Sequence, residues 1–132
     1  MALRGFLVAA AGMILAALPA QAESMIGVWK GVGLQVHPDG WQETWDIRIT
    51  IRADITSRIE YPSLGCKGEL KEISRKSDAI EFEEHIASGA GLCEDRGRLL
   101  VTVRDGRMSF FWWKPGTSMD ASAVLHRDLA TS

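Results

Sequence analysis

Two adjacent carboxylates, two cysteines, three histidines and five tryptophans carry most of the chemistry available to this 132-residue chain. Glu83 and Glu84 have the residue types of a general acid and base. Neighbours on a strand point to opposite faces, so on a strand these two do not share a site. His37, His85 and His126 show neither H-x-H nor H-E-x-x-H spacing, and Ser63 sits in no G-x-S-x-G. Gly31-Val32-Gly33 lacks the third glycine and the following helix of a dinucleotide fingerprint; glycines relieving strand crowding is the simpler reading. No catalytic set emerges. The expectation is a non-enzyme without cofactor or metal.

Cys66 and Cys93 are the only cysteines. An even count in a small exported domain reads as a disulfide. The alternative, a pair of metal ligands, lacks both a C-x-x-C and a histidine at ligand spacing.

Glu84 is the most informative polar residue. If Ile80, Phe82 and Ile86 face inward on a strand, Glu84 does too, and a buried carboxylate is costly without a partner. The structural reading pairs it with Lys30, placed inward with Val28 and Val32, or with Arg127. The functional reading makes it a polar anchor inside a ligand pocket. The tryptophans divide in the same way. Trp29 reads as core. Trp41 and Trp45 share one face of a strand, while Trp112 and Trp113 point oppositely, so one of them faces outward. Trp41, following the Pro38-Asp39-Gly40 turn, and Tyr61, preceding Pro62, read as rim residues of one binding site with Trp45 and Glu84. Plain filling of the interior by these rings is the competing reading.

The elements that must position these residues are mostly strands. Trp41 to Arg52 alternates strictly: Trp41, Trp45, Ile47, Ile49 and Ile51 on one face, and Gln42, Thr44, Asp46, Arg48, Thr50 and Arg52 on the other. Further strands read over 25–36, 56–61, 66–74, 79–87, 98–104, 107–114 and 121–129. Asp105-Gly106 is the strongest hairpin signal. Leu70, Ile73, Ile80 and Ile86 with interleaved charges also admit a helical reading, but Lys76-Ser77-Asp78 favours a turn between strands. About eight strands in meander order suit a small sandwich or barrel. Closing an up-and-down meander removes sticky edges, which favours the barrel.

The first 22 residues differ from the rest. Seventeen are apolar and Arg4 is the only charge. Pro19 ends an apolar stretch, and Ala20-Gln21-Ala22 forms an A-x-A cleavage site before Glu23, the pattern of a secretory signal peptide over 1–22. The stretch is short for a membrane span and no basic cluster follows it, so no stable membrane insertion after cleavage is expected. Such Ala- and Gly-rich signals resemble those of Gram-negative bacteria, which implies a periplasmic or secreted mature chain. The expected domain, 23–132, has 14 basic and 17 acidic side chains, for a net charge of −3. That length supports one modest core, and that balance makes nucleic acid and anionic membranes poor partners.

Gly27-Val28-Trp29 resembles the G-x-W that opens the barrel in lipocalins and avidin-like proteins. The resemblance implies that Trp29 packs at the closed end and that Arg127, in the last strand, lies across it. Tyr61-Pro62-Ser63-Leu64-Gly65-Cys66-Lys67-Gly68-Glu69-Leu70 resembles a Y-P-S-L-G-C-x-G-x-L motif of small exported bacterial β domains. Those domains share an acidic-apolar strand, a Gly-containing loop with a second Cys, and a late Trp-bearing strand. Glu83-Glu84-His85-Ile86, 89–93 and 110–113 match. This resemblance implies fold and disulfide but no activity.

The expectation is therefore an exported all-β protein: one lipocalin-like antiparallel barrel that binds a small apolar ligand or a protein partner at a barrel end. A hydrolase inhibitor, against lysozyme or a protease, or a host-interaction factor is the alternative. The S-G-x-x-Y and W-x-K-G signatures of periplasmic lysozyme inhibitors are unmatched: Ser88-Gly89 lacks the Tyr, and Pro115 follows Trp113-Lys114. An enzyme is least favoured.

Overall fold

The computed structural model describes residues 24–129; the expected signal peptide at 1–22 and its cleavage site lie outside them. Eight strands follow in order: β1 Gly27–Val36, β2 Gln42–Ile51, β3 Ser57–Tyr61, β4 Cys66–Arg75, β5 Ala79–Ser88, β6 Arg98–Arg104, β7 Arg107–Trp113 and β8 Asp120–Arg127. Each pairs antiparallel with the next, and β8 returns to β1, closing a meander barrel. Closure leaves no sheet edge open. Cys66 and Cys93 form the disulfide.

Alternation explains the walls. On β2, Ile47, Ile49 and Ile51 are buried while their neighbours reach solvent. β6 buries Leu99, Val101 and Val103, and β7 buries Met108, Phe110 and Trp112. The stretch that admitted a helical reading is β4 and β5, joined around Lys76-Ser77-Asp78. A bulge between Glu72 and Ser74 leaves Ile73 facing solvent. That explains why the apolar spacing there departs from a period of two.

β1 corrects one expectation. Lys30 does not face inward with Val28 and Val32. Trp29 and Gly33 are buried, whereas Lys30 and Val32 are exposed, and Lys30 Nζ lies 3.6 Å from Asp128. The reason is room. A Cβ at Gly33 would stand 3.0 Å from the Trp45 ring and 2.9 Å from Ile47, so the glycine face turns inward to admit those side chains. Lys30 is thus not the partner of Glu84.

Trp29 closes one end. It is fully buried, and its Nε1 donates to Met25 O at 3.0 Å. The Arg127 guanidinium carbon sits 4.2 Å from the centroid of its ring. Arg127 also donates to the carbonyls of Ile26 and Ser24, strapping the segment before β1 beneath the barrel. Loops 37–41, 62–65, 89–97 and 114–119 gather at the opposite end.

Candidate functional site

Glu84 lies at the floor of a cup at that opposite end. Alternation on β5 turns Ile80, Phe82 and Glu84 inward, and Glu84 is 1% exposed. Its partners are not cations. Tyr61, the last residue of β3, donates its hydroxyl to Glu84 Oε2 at 2.5 Å. Trp112, near the end of β7, donates Nε1 to Oε1 at 3.3 Å. Neither Lys30 nor Arg127 is at hand: Arg127 is spent on Trp29 and the N-terminal strap at the other end.

Burial is the dominant influence on Glu84 and raises its pKa to about 7. The bonds from Tyr61 and Trp112 oppose that rise, nearby Asp95 adds to it, and Lys114 weakly opposes it. Tyr61 is likewise pushed well above its ordinary value, chiefly by burial and then by the Glu84 charge and hydrogen bond. The phenol therefore stays protonated and donates.

Above Glu84 the cup has a volume of about 250 Å³. Trp45, Tyr61, Phe110 and Trp112 supply aromatic walls, and Leu64, Leu92, Cys93 and Met119 complete the apolar lining. Gln35, His37, Glu43 and Glu94 add polar groups. A concave apolar site with a few convergent polar groups is the usual form of a small-molecule pocket.

The loop 89–97 that forms part of this cup is tied at several points. Cys93 is bonded to Cys66 at the start of β4. Asp95 Oδ1 accepts from the backbone N–H groups of Ile86 and Arg96, both at 2.8 Å, and these bonds hold its carboxyl below the usual range. Lys114 donates to the Asp95 carbonyl and sits 3.7 Å from Glu94. The Gly97 carbonyl accepts from Glu84 N at 2.9 Å, so the loop ends against the floor residue.

Of the four residues expected at one binding site, three meet: Trp45, Tyr61 and Glu84. Tyr61 is a buried floor residue, not an open rim residue, because the inward side of β3 carries Ser57, Ile59 and Tyr61. Trp41 stands apart. It is 58% exposed, absent from the lining, and stacked on His37 at 4.5 Å between ring centroids. Its place ahead of β2 puts it beyond the wall, where the inward-outward alternation no longer binds it.

Trp112, Gly97 and Asp95 were not among the expected site residues. The period of two in Met108, Phe110 and Trp112 was the available signal for Trp112. Nothing local marks Gly97 or Asp95. Glu83, on the outer face, lies 2.8 Å from His85 and 3.9 Å from Arg98, so the two glutamates work on opposite sides of the wall.

A larger hollow of about 560 Å³ lies beside loop 52–56 and β4. Its charged lining includes Arg52, Asp54, Glu69, Lys71 and Glu72. The buried polar group there, Ser57, is used internally, its Oγ accepting from Arg52 N at 3.1 Å. It offers no buried anchor comparable to Glu84. Compared with known proteins, the chain matches no family model and no curated sequence.

Proposed function

We propose that this chain is an exported, non-catalytic binding protein that takes a small, largely apolar ligand into the cup above Glu84. One observation carries the reading: a buried carboxylate, held by Tyr61 and Trp112, forms the floor of an aromatic-walled cavity of about 250 Å³. At about 30 Å³ of liquid per water, that volume equals roughly eight waters, which suits a ligand of similar heavy-atom count. A cavity of this kind supplies affinity from its rings and orientation from its floor. The outward direction of Glu83 leaves Glu84 without its sequence neighbour as a second carboxylate, which favours binding over acid–base catalysis.

A disulfide-bonded small barrel is compatible with an exported protein. The signal-like segment carries the finer reading, a periplasmic or secreted location. Intact mass of the exported protein tests it: the mature chain begins at Glu23 and has no alkylatable thiol.

Native mass spectrometry of protein taken from its own compartment tests the ligand. An adduct of small mass, displaced on unfolding, is expected. Repeated isolation of an empty chain that also fails to bind small aromatic probes overturns the reading. Exposed Trp41 and Leu92, 58% and 64% accessible, favour a second reading in which a protein partner docks around the mouth. Exposed large apolar side chains are common contact residues.

A further inference from the structure

Resting on the cup as a binding site, we propose that its ligand carries a protonated amine on a small apolar body, with the ammonium held by Glu84 among the aromatic walls. The charge of the cavity points this way. Its ionisable lining is Glu43, Glu84, Glu94, His37 and the Tyr61 phenol; among the described residues that line it there is no lysine or arginine. With three carboxylates against one imidazole, an anionic ligand meets mostly like charge or a neutral wall.

The three carboxylates are not equivalent. Glu43 has His37 at 3.4 Å, and Glu94 has Lys114 at 3.7 Å. Glu84 is bonded by two neutral donors, a phenol and an indole. A buried charge is stabilised by a counter-charge more than by neutral dipoles, and burial makes that demand large. A carboxylate has about four lone-pair positions, and Tyr61 and Trp112 use one on each oxygen. Glu84 also lines the cavity, so a donor entering from the mouth reaches the rest.

The walls add to the same preference. Trp and Tyr faces attract a desolvated ammonium through their quadrupoles. A neutral apolar molecule would fill the volume but leave the carboxylate without a counter-charge. An ammonium satisfies both the rings and the floor.

Proton linkage gives a second handle. Glu84 titrates near neutrality, so an ammonium and a proton compete for it. The other titratable groups around the floor are the neutral Tyr61 phenol from β3, Asp95 and Glu94 from loop 89–97, Lys114 after β7, and His37 and Glu43 from the first hairpin. His37 sits beside Glu43 at 3.4 Å, not beside Glu84.

The experiment uses three probes on one scaffold: 2-phenylethylammonium, 2-phenylethanol and phenylacetate. Binding to the mature, oxidised protein is followed by calorimetry and tryptophan fluorescence. At pH 8 the ammonium should bind at least about tenfold more tightly than the alcohol, and the carboxylate most weakly. Lowering the pH to 6 should weaken the ammonium about tenfold, as expected for competition with a proton at a pKa of about 7, and leave the alcohol unchanged. Glu84→Gln should bring the ammonium down to the level of the alcohol while the alcohol still binds. If that variant does not fold, the wild-type pH series decides alone. Alcohol or phenylacetate binding as tightly as the ammonium overturns the cation assignment and leaves the cup as a binding site. Failure of all three probes at millimolar concentration overturns the cup and the assignment together.

Discussion

Gly97 has no side chain where the Trp112 indole lies. A Cβ built there would stand 2.0 Å from Trp112 Nε1, well inside any contact distance. The same indole N–H reaches Glu84, and the Gly97 carbonyl receives the Glu84 N–H. One missing methyl group therefore lets loop, β7 and β5 meet at the floor of the cup.

Gly97→Ala should push the Trp112 ring off Glu84 and leave a buried carboxylate with one donor. Losing a hydrogen bond to a buried charged group, together with overpacking, costs about 2 to 4 kcal/mol. Thermal melts should show a marked fall, with a shift in tryptophan emission. A melt superimposable on wild type would show that the loop yields freely.

Glu84 ties stability to pH. Its folded pKa of about 7 lies above the ordinary 4.5, so the folded chain holds this proton more tightly than the unfolded chain. The resulting stability is full below about pH 4.5, declines as pH rises toward 7, and is lost above it. The span corresponds to about 3 kcal/mol at about 1.4 per unit. Denaturant titrations of wild type and Glu84→Gln between pH 5 and 8 should differ in slope, with the variant flatter.

Trp29 and Arg127 should be coupled. Trp29→Ala removes a fully buried ring and should cost about 3 to 5 kcal/mol. Arg127→Ala should cost less. Because the guanidinium lies 4.2 Å from the ring centroid, the double variant should be less destabilised than the sum of the singles. Strict additivity in the cycle would show that the stacking contributes nothing.

Trp41 separates the two binding readings. It packs on His37 outside the cup, so Trp41→Ala should change the melting temperature by no more than a degree or two. Binding of 2-phenylethylammonium should persist. Loss of capture of a native protein partner by this variant, with the small probe still bound, would favour docking around the mouth.

Much of the barrel was legible locally. β2 announces itself because one face meets a packed interior and the other meets water, which imposes a period of two on Trp45 to Ile51. Asp105-Gly106 marks the β6–β7 hairpin, and two cysteines leave one intramolecular pairing. Glu84 could be placed inward from Ile80 and Phe82 alone.

Its partners could not be read there. Tyr61 and Trp112 lie 23 and 28 positions away on strands not adjacent to β5, and only closure brings their side chains across the interior. The facing of β1 was decided the same way. Its apolar residues lie on both faces, and the volume of Trp45 and Ile47 turns the glycines in and Lys30 out. Trp41 continues the face of β2 by count, yet the wall ends before it. Local alternation determined which side chains point inward along each regular strand. Which of them meet, and where the wall stops, depended on how eight strands share one interior volume.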